Sequence, residues 1–313
     1  MGSIATAELL ADRGAAATAD ELFRSPAFLE AEGATHTLRL SSPGRTAQVP
    51  LIVREIDGSE LLDAVSPYGY PGATIEGAGA VAVAAEVDWS QTGLVSVFAR
   101  ERLLGEPWFG GAGERSSVLV HDPARPRRIR PRLAEQIRAN QRGGWSVQVK
   151  PGPDSAVADR DVFAAAYAET MRRAEAAERY FFEREYLDAV LSFERSWLLL
   201  ARRDGQPGAA AIAGVSDGVL HYYLGGTADS ARAESPFKNV VVAMLDLADE
   251  LALQLNLGGG LSPGDGLEAF KRGFANGELP FRTHELVCDA PAYRRLAGGP
   301  AAQGGYFPAY RAP

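Results

Sequence analysis

The chain has 313 residues, of which 46% are hydrophobic and 23% charged, as is typical of a globular protein. It contains no run of eighteen apolar residues, and its first residues, MGSIATAELLADRG, lack a signal-peptide pattern, so we expect a cytoplasmic protein without a membrane span. A single cysteine excludes an internal disulfide, and the four histidines lack metal-ligand spacing, so no metal site is predicted.

The first half of the chain begins with two stretches of helical character, around residues 7–10 and 25–32. In the second stretch Ser25 precedes Pro26, and a serine cap followed by proline is a common helix start. Strands and a helix at about 132–142 follow, and a further strand is predicted at 145–149. The earlier predicted strands are THTLRL (35–40), QVPLIVREI (48–56) and VLV (118–120).

A polar segment rich in proline and glycine, PGPDSAVAD at 151–159, has the composition of a linker. It predicts two domains, residues 1–150 and residues 151–313. The last ~30 residues are a candidate segment to pack back on the first domain, because chain termini of a domain often lie close together.

The second half has a regular order of predicted elements. A helix near 161–178 is followed by three strands, and the dipeptides Asp204-Gly205 and Asp217-Gly218 between them are strong hairpin signals. A helix starting at Ser235-Pro236, a buried strand and a helix capped by Asp265 complete the order, which predicts a mixed α+β unit. The predicted strands are 196–203, 208–216, 219–227 and 253–259.

A lysine lies on the apolar side of the helix after Asp265. Leu267, Phe270, Lys271 and Phe274 are spaced to share one helix face, which should pack inward. Because removing an ammonium group from water is costly, Lys271 has three alternatives. It snorkels to the surface, pairs with a buried carboxylate, or points into a cleft that receives an anionic group.

Basic residues are distributed unevenly along the chain. Only three are lysines, Lys150, Lys238 and Lys271, and 29 are arginines. The net charge of −8 does not indicate a nucleic-acid binder, but residues 125–150 carry eight basic side chains against one acid. Such a patch is typical either of a solvated helix face or of a surface that contacts phosphates.

Three regions of the chain resemble the Fem family of aminoacyltransferases. The sharpest likeness runs from YYLGGT at 222–227 through LNLGGG to D-x-L-x-x-F-K-x-x-F at 265–274. SPYGYPG at 66–72 resembles a segment of the family's first domain, and residues 116–145 resemble its inter-domain helix region. The resemblance implies an α+β fold of two tandem acyl-CoA N-acyltransferase (GNAT-like) units, with mixed sheets flanked by helices. Longer members carry a helical-hairpin arm, for which this sequence has no counterpart.

The resemblance also implies a reaction. Fem enzymes transfer an amino acid from aminoacyl-tRNA to an amine, forming an amide or peptide bond without a cofactor, with aminoacyl-tRNA as co-substrate. The family's catalytic phenylalanine-lysine pair corresponds to Phe270 and Lys271. A preorganised cation stabilises the oxyanion that forms when an amine attacks an ester carbonyl, and this chemistry agrees with the position of Lys271. The acceptor is a peptidoglycan precursor or a small natural product.

Further residues are candidates for binding substrates. Tyr222 and Tyr223 alternate along a strand, so one faces each side of the sheet. Tyr68 and Tyr70 are either an ordinary packed loop or part of an acceptor site. Lys238 lies in the first turn of its helix, where a cation opposes the helix dipole, and either a bound anion or exposure to water would relieve this. The candidates for tRNA binding are Arg127, Arg128, Arg130 and Arg132.

Two other functions fit the same fold. The first is acyl-CoA-dependent N-acyltransfer, for which enzymes of this fold use [RQ]-x-x-G-x-[GA] at a helix N-terminus to hold the pyrophosphate. The corresponding residues here read SARAESPFKN, without glycine and with a proline that lacks an N–H group, which argues against coenzyme A. The second is a non-catalytic binding protein that retains the fold.

Overall fold

The computed structural model describes residues 5–260, 262, 264–298 and 306–312. The chain divides into a first unit, residues 1–115 with 281–313, and a second unit, residues 116–280. This division differs from the boundary predicted from the sequence, which lies between residues 150 and 151. Residues 116–150 belong to the second unit because they supply strands to its sheet, including Ser146–Pro151, which pairs with Ser196–Arg203.

The N-terminal part of the first unit, up to residue 100, forms a mixed sheet and a short helix. The strand order is β6-β1-β2-β3-β4-β7, with β1–β6 and β4–β7 parallel and the other neighbours antiparallel. β5 pairs with β3 off this path. The strands are β1 (Ala5–Leu10), β2 (His36–Ser42), β3 (Arg45–Glu55), β4 (Leu62–Val65), β5 (Thr74–Gly77), β6 (Val87–Gln91) and β7 (Leu94–Arg100), and the helix is α1 (Pro26–Ala31).

The helix start at Ser25 is confirmed, because its side chain accepts a hydrogen bond from the Phe28 N–H group. The helix predicted around residues 7–10 is wrong. That segment belongs to β1, in which Ala5 and Ala7 are buried while Thr6 and Glu8 are exposed, the two-residue alternation of a strand. So short an apolar run does not distinguish the two structures by its periodicity.

The second unit is a six-strand arrangement in the order β8-β13-β12-β11-β10-β9, in which only β12–β13 is parallel. The strands are β8 (Gly113–His121, entering from the first unit), β9 (Ser146–Pro151), β10 (Ser196–Arg203), β11 (Gln206–Ser216), β12 (Val219–Thr227) and β13 (Gln254–Gly258). The helices are α2 (Pro131–Arg142), α3 (Val157–Arg173), α4 (Arg184–Leu191), α5 (Phe237–Leu251) and α6 (Gly266–Lys271).

Helices cover both faces of this second sheet. One face buries Leu199, Ala211 and Leu220 against Val240 and Met244 of α5. On the other face α3 approaches Gly226 so closely that a Cβ atom there would lie 2.3 Å from the Ala166 carbonyl oxygen. The hairpin turns at Asp204-Gly205 and Asp217-Gly218 are confirmed, with positive φ angles at all four residues as the favoured two-residue turn requires.

The two sheets share a pattern. In each, a strand that is antiparallel to the one before it runs parallel to the next, β3-β4-β7 in the first unit and β11-β12-β13 in the second. The predicted fold class, an α+β chain of tandem units with mixed sheets flanked by helices, is confirmed. None of the described helices is long and apolar enough to cross a membrane.

The chain returns to the first unit through β14 (Gly277–Val287), which pairs with β7, and ends with α7 (Ala290–Leu296) and a short C-terminal segment. Arg311 and Tyr310 in that segment bind Asp63, a fully buried carboxylate. The Arg311 Nε atom lies 2.6 Å and the Tyr310 hydroxyl 3.2 Å from Asp63 Oδ2, while Arg54 donates to the other oxygen. The C-terminal segment therefore neutralises a buried charge.

Replacing Arg311 by alanine is expected to lower the free energy of unfolding by about 2 kcal/mol, because a buried carboxylate loses one of its cationic partners. Urea denaturation of Arg311→Ala beside wild type measures the loss. Arg295→Ala is the matched control, since Arg295 is exposed on α7 and should change stability by less than about 0.5 kcal/mol. Equal losses for both variants would contradict this role of Arg311.

Candidate active site

The parallel strands β12 and β13 separate part-way along their length. They pair only over Val219–His221 and Gln254–Asn256, although both strands continue beyond these residues. Next to His221, β12 carries a bulge: Tyr222 pairs with Ala213 of β11 and Leu224 with the preceding residue, so Tyr223 is the additional residue. The two tyrosines thus lie where the strands begin to part.

Lys271 reaches the end of β13 from helix α6. Asp265 caps this helix by accepting a hydrogen bond from the Glu268 N–H group at 2.7 Å. Lys271 is the last helical residue, and its Nζ atom donates to the Gly259 carbonyl oxygen at 2.8 Å. Gly258 adopts a φ of +77°, and a Cβ atom there would lie 3.0 Å from the Lys271 Nζ atom. The glycines after β13 therefore make room for the ammonium group.

The lysine lies beside the first ring of an aromatic cluster. The Lys271 Nζ atom is 5.6 Å from the centroid of the Tyr222 ring, within the range of a cation–π contact. The Tyr222 ring lies 5.7 Å from that of Phe237, which in turn lies 6.4 Å from that of Phe270. The structure thus brings together three of the predicted site residues, Tyr222, Phe270 and Lys271, and adds Phe237.

The predicted apolar helix face is correct only in part. Phe274 is fully buried and Phe270 packs against the core, but Leu267 is 40% exposed. The helix ends at Lys271, so Phe274 lies in the turn that follows rather than on the helix itself. A helix of six residues has room to bury only its C-terminal end.

Burial lowers the pKa of Lys271 to about 8, and the charge of Asp265 opposes this shift without cancelling it. No ion pair to Lys271 occurs in the part of the chain that the structure describes, so pairing with a buried carboxylate is not the explanation. The side chain is half-buried, and its hydrogen-bond partner is a neutral carbonyl group. An ammonium in such a setting retains capacity to stabilise a negative charge.

Lys238 follows Phe237 in the first turn of α5. It is half-buried, and burial lowers its pKa. Over the described ranges it has no ion-pair partner, and its position at the positive end of the helix dipole disfavours its charge further. Lys238 thus follows Phe237 in sequence, and Phe237 packs against Tyr222, the ring that lies beside Lys271.

Tyr223 lies on the opposite side of the sheet from Tyr222. Its hydroxyl contacts the hydroxyl of Tyr186 on α4, whose ring stacks on that of Phe182 at a centroid distance of 4.1 Å. The alternation predicted for the two tyrosines is confirmed despite the bulge. Tyr223 thus belongs to an aromatic cluster beside α4 rather than to the surroundings of Lys271.

Tyr68 and Tyr70 lie in a loop of the first unit and differ in their surroundings. Tyr68 is 43% exposed, and its backbone N–H donates to Glu32. Tyr70 packs its ring against those of Phe23 and Phe281, at 5.8 and 5.3 Å. Ordinary packing accounts for Tyr70, whereas the ring of Tyr68 is accessible to a ligand.

The four arginines proposed for tRNA binding also differ. Arg127 forms ion pairs with Asp246 and Asp249, which neutralise its charge. Arg130 donates to the Ala269 carbonyl at 3.2 Å. Arg128 and Arg132 are exposed and make no ion pair with any described residue, so these two are the best placed to meet an external phosphate.

A buried polar pair, Asn256 and His221, is not among the residues predicted from the sequence. Asn256 and His221 are 1% and 2% exposed, and they lie opposite each other in the last paired positions of β13 and β12. The signal was present, since an asparagine interrupts the apolar strand LQLNLGG. Among the described residues, no group of three or more potential metal ligands is arranged to hold a metal ion.

Comparison with known proteins identifies the fold that carries these residues. Residues 127–272 match the family model described as an acetyltransferase (GNAT) domain. The chain has a GNAT-type acyltransferase fold. No curated protein matches it.

Solved structures extend the likeness across both units of this acyltransferase fold. The structure of FemX superposes with a TM-score of 0.59 at 12% identity, covering 87% of this chain and 93% of FemX. The C-terminal domain of a putative lysylphosphatidylglycerol synthetase from Agrobacterium fabrum gives 0.56 at 13% identity, covering 87% and 88%. L-PGS from Bacillus licheniformis gives 0.53 at 12%, covering 85% and 91%. The resemblance to the Fem proteins is thus confirmed for the fold.

Proposed function

We propose that this protein transfers an amino acid from aminoacyl-tRNA to an amine acceptor and forms an amide bond. The observation that carries the proposal is the half-buried Lys271 ammonium, bound to the Gly259 carbonyl where β12 and β13 separate. Its setting beside Phe270 corresponds to the phenylalanine-lysine pair of the Fem family, and the fold likeness to FemX supports the same reading.

The chemistry follows from the charge of this lysine. The acceptor amine attacks the ester carbonyl carbon, so a C–N bond forms and the carbonyl oxygen becomes negative. Lysine has three N–H donors, and the Gly259 carbonyl uses one of them. The other two can donate to the oxyanion, and this is the role that we assign to Lys271. When the C–O bond breaks, the tRNA 3′ oxygen leaves and takes a proton, which balances the one lost by the amine.

The loop before α5 bears on the choice of donor. In CoA enzymes of this fold, the backbone N–H groups of the corresponding loop hold the pyrophosphate. Here the N–H groups of Ala231, Arg232, Glu234 and Ser235 already donate to carbonyl groups within the loop. Arg203, the cation beside this loop, already pairs with the carboxylate of Glu234, which also accepts from the Trp145 ring N–H. These contacts favour aminoacyl-tRNA over coenzyme A.

Acyl-CoA-dependent N-acyltransfer remains the second candidate, because the matching family model is that of an acetyltransferase domain. A non-catalytic binding protein of the same fold is the third. The acceptor, for which Tyr68 of the first unit is a candidate contact, is either a peptidoglycan precursor or a small amine-bearing natural product. Aminoacyl-tRNA is a cytoplasmic donor, so the proposal includes a cytoplasmic location.

The test follows labelled amino acids from tRNA. Bulk bacterial tRNA charged with isotope-labelled amino acids is mixed with the protein and a small-molecule extract, and tRNA-free amides are identified by mass spectrometry. A parallel reaction supplies acetyl-CoA. Protein-dependent release of label into an amide supports the proposal and names the amino acid, whereas product from acetyl-CoA alone would replace it with the second candidate.

The exposed arginines should contribute to tRNA binding through phosphate contacts. Replacing both Arg128 and Arg132 by glutamine is expected to weaken tRNA binding and to reduce the slope of log K against log salt by about 1.5, because each phosphate contact contributes about 0.7–0.9. Filter binding between low and moderate salt measures the slope.

The control for this double variant is Arg13→Gln with Arg39→Gln. These two arginines of the first unit already pair with Glu30 and Glu8, so their loss should leave the slope close to that of wild type. An unchanged slope in the Arg128/Arg132 variant would exclude these residues from the tRNA contact.

A further inference from the structure

Behind Lys271, a chain of hydrogen bonds runs through the interior of the second unit. The Gly258 N–H donates to Asn256 Oδ1 at 2.8 Å, and Asn256 Nδ2 lies 3.1 Å from His221 Nδ1. His221 Nε2 faces the Ser216 carbonyl at 3.4 Å. This series of hydrogen bonds thus links Ser216, which precedes the Asp217-Gly218 turn, to Gly258 beside the Lys271 ammonium.

The chemistry of the groups determines the direction of every bond in this chain. A backbone N–H can only donate, so the Asn256 atom facing Gly258 is the oxygen and its other amide atom is the donor. His221 Nδ1 must then accept, which places its proton on Nε2, toward the Ser216 carbonyl. The imidazole is neutral in this arrangement, and burial lowers the pKa of His221 to about 4, so it stays neutral at physiological pH.

The same series of hydrogen bonds ends next to the Lys271 ammonium. Gly258 is held through its N–H, and the carbonyl of the following residue, Gly259, accepts from Lys271 Nζ at 2.8 Å. Lys271 belongs to a helix of only six residues. The N-cap of that helix, Asp265, also accepts a hydrogen bond from the Ser262 N–H group, shortly after the glycines. The backbone after β13 is therefore the fixed element against which the lysine is placed.

We propose that Asn256 and His221 are positioning residues, which fix the Gly258–Gly259 backbone and thereby place the Lys271 ammonium for the transfer reaction. The inference rests on the proposed role of Lys271. Neither Asn256 nor His221 touches the reacting groups. Asn256 supplies the acceptor for Gly258, and His221 supplies the acceptor that keeps the Asn256 amide from rotating.

Three variants test this series of hydrogen bonds. Asn256→Ala removes the acceptor for Gly258, and His221→Leu fills the imidazole volume but leaves Asn256 Nδ2 without an acceptor. His221→Gln is the conservative variant, because its amide oxygen can replace Nδ1 as the acceptor. Circular dichroism establishes folding, and if Asn256→Ala does not fold, the matched pair at position 221 decides.

The first readout is independent of catalysis. Trace acetylation with acetic anhydride at a series of pH values, followed by mass spectrometry, gives a titration midpoint for each of the three lysines. In Asn256→Ala and His221→Leu, the released backbone admits water to Lys271, so its midpoint should rise from about 8 by about one unit or more. Asp265 remains in place as the neighbouring charge, and the midpoints of Lys150 and Lys238 should not move.

The second readout is the kinetics of transfer. Both disruptive variants should lower kcat by about tenfold to a hundredfold with little change in KM, since a misplaced group affects the transition state more than substrate binding. His221→Gln should stay within about twofold of wild type. An unchanged Lys271 midpoint in folded Asn256→Ala or His221→Leu overturns the positioning role. Full transfer activity of Lys271→Met would instead overturn the proposed role of Lys271, and the absence of transfer by wild type would overturn the proposed function. The labelling result would stand on its own in either case.

Discussion

Replacing Lys271 by methionine is expected to lower the rate of amino-acid transfer by about a hundredfold to a thousandfold. The ammonium is the cation bound where β12 and β13 part, and removing one donor to an oxyanion costs a factor of this size in other acyl-transfer enzymes. Methionine keeps the length and the apolar stem of the side chain. The loss should therefore appear in kcat, measured by single-turnover release of labelled amino acid from tRNA, rather than in the affinity for tRNA.

Lys150→Met is the matched control, because it makes the same chemical change at a lysine on the edge strand β9, where the side chain pairs with Asp159. Its transfer rate should stay within about twofold of wild type. Lys271→Arg should restore little, since a guanidinium is larger and planar and cannot replace a point charge held by one carbonyl group. Equal rates for Lys271→Met and wild type would exclude the catalytic role of Lys271.

Local signals in the sequence predicted the second unit well. The bounds of β10 and β12 match the predicted segments, because continuous apolar runs are bounded by Asp-Gly turns that allow few other structures. Local signals were weaker in the first unit, where β6, β7 and the parallel β4–β7 pair were not predicted. Parallel neighbours are joined by long connections, so no short-range pattern marks them.

The candidate site divides in the same way. Lys271, Phe270 and Tyr222 were predicted from a lysine on an apolar helix face and from the family resemblance, and they lie together in the structure. Phe237 was missed because it is the first residue of a helix, where its sequence neighbours carry the capping signals. Its role depends on Gly225, where a Cβ atom would lie 2.8 Å from the Phe237 ring, a contact between elements that the sequence does not reveal.

Stability and activity should depend on pH in opposite directions around Lys271. In the unfolded chain a lysine has an ordinary pKa near 10.4, whereas burial lowers the pKa of Lys271 to about 8 in the fold. Between these values the unfolded chain binds more protons than the folded one, so the contribution of Lys271 to the free energy of unfolding rises with pH from about 8 to about 10. Transfer that requires the ammonium should fall over the same range.

The Lys271→Met variant isolates this contribution. Near pH 7 the charged lysine destabilises the fold, so the variant should be more stable than wild type by about 1–3 kcal/mol, the size of a pKa shift of this magnitude after the lost Gly259 hydrogen bond is subtracted. Urea denaturation at pH 7 and pH 9.5 should show the advantage shrinking at the higher pH. If the variant is less stable than wild type at both pH values, burial of the Lys271 ammonium does not destabilise the fold. A variant that is more stable but inactive would mean that the fold retains a destabilising charge at Lys271 because the transfer reaction requires it.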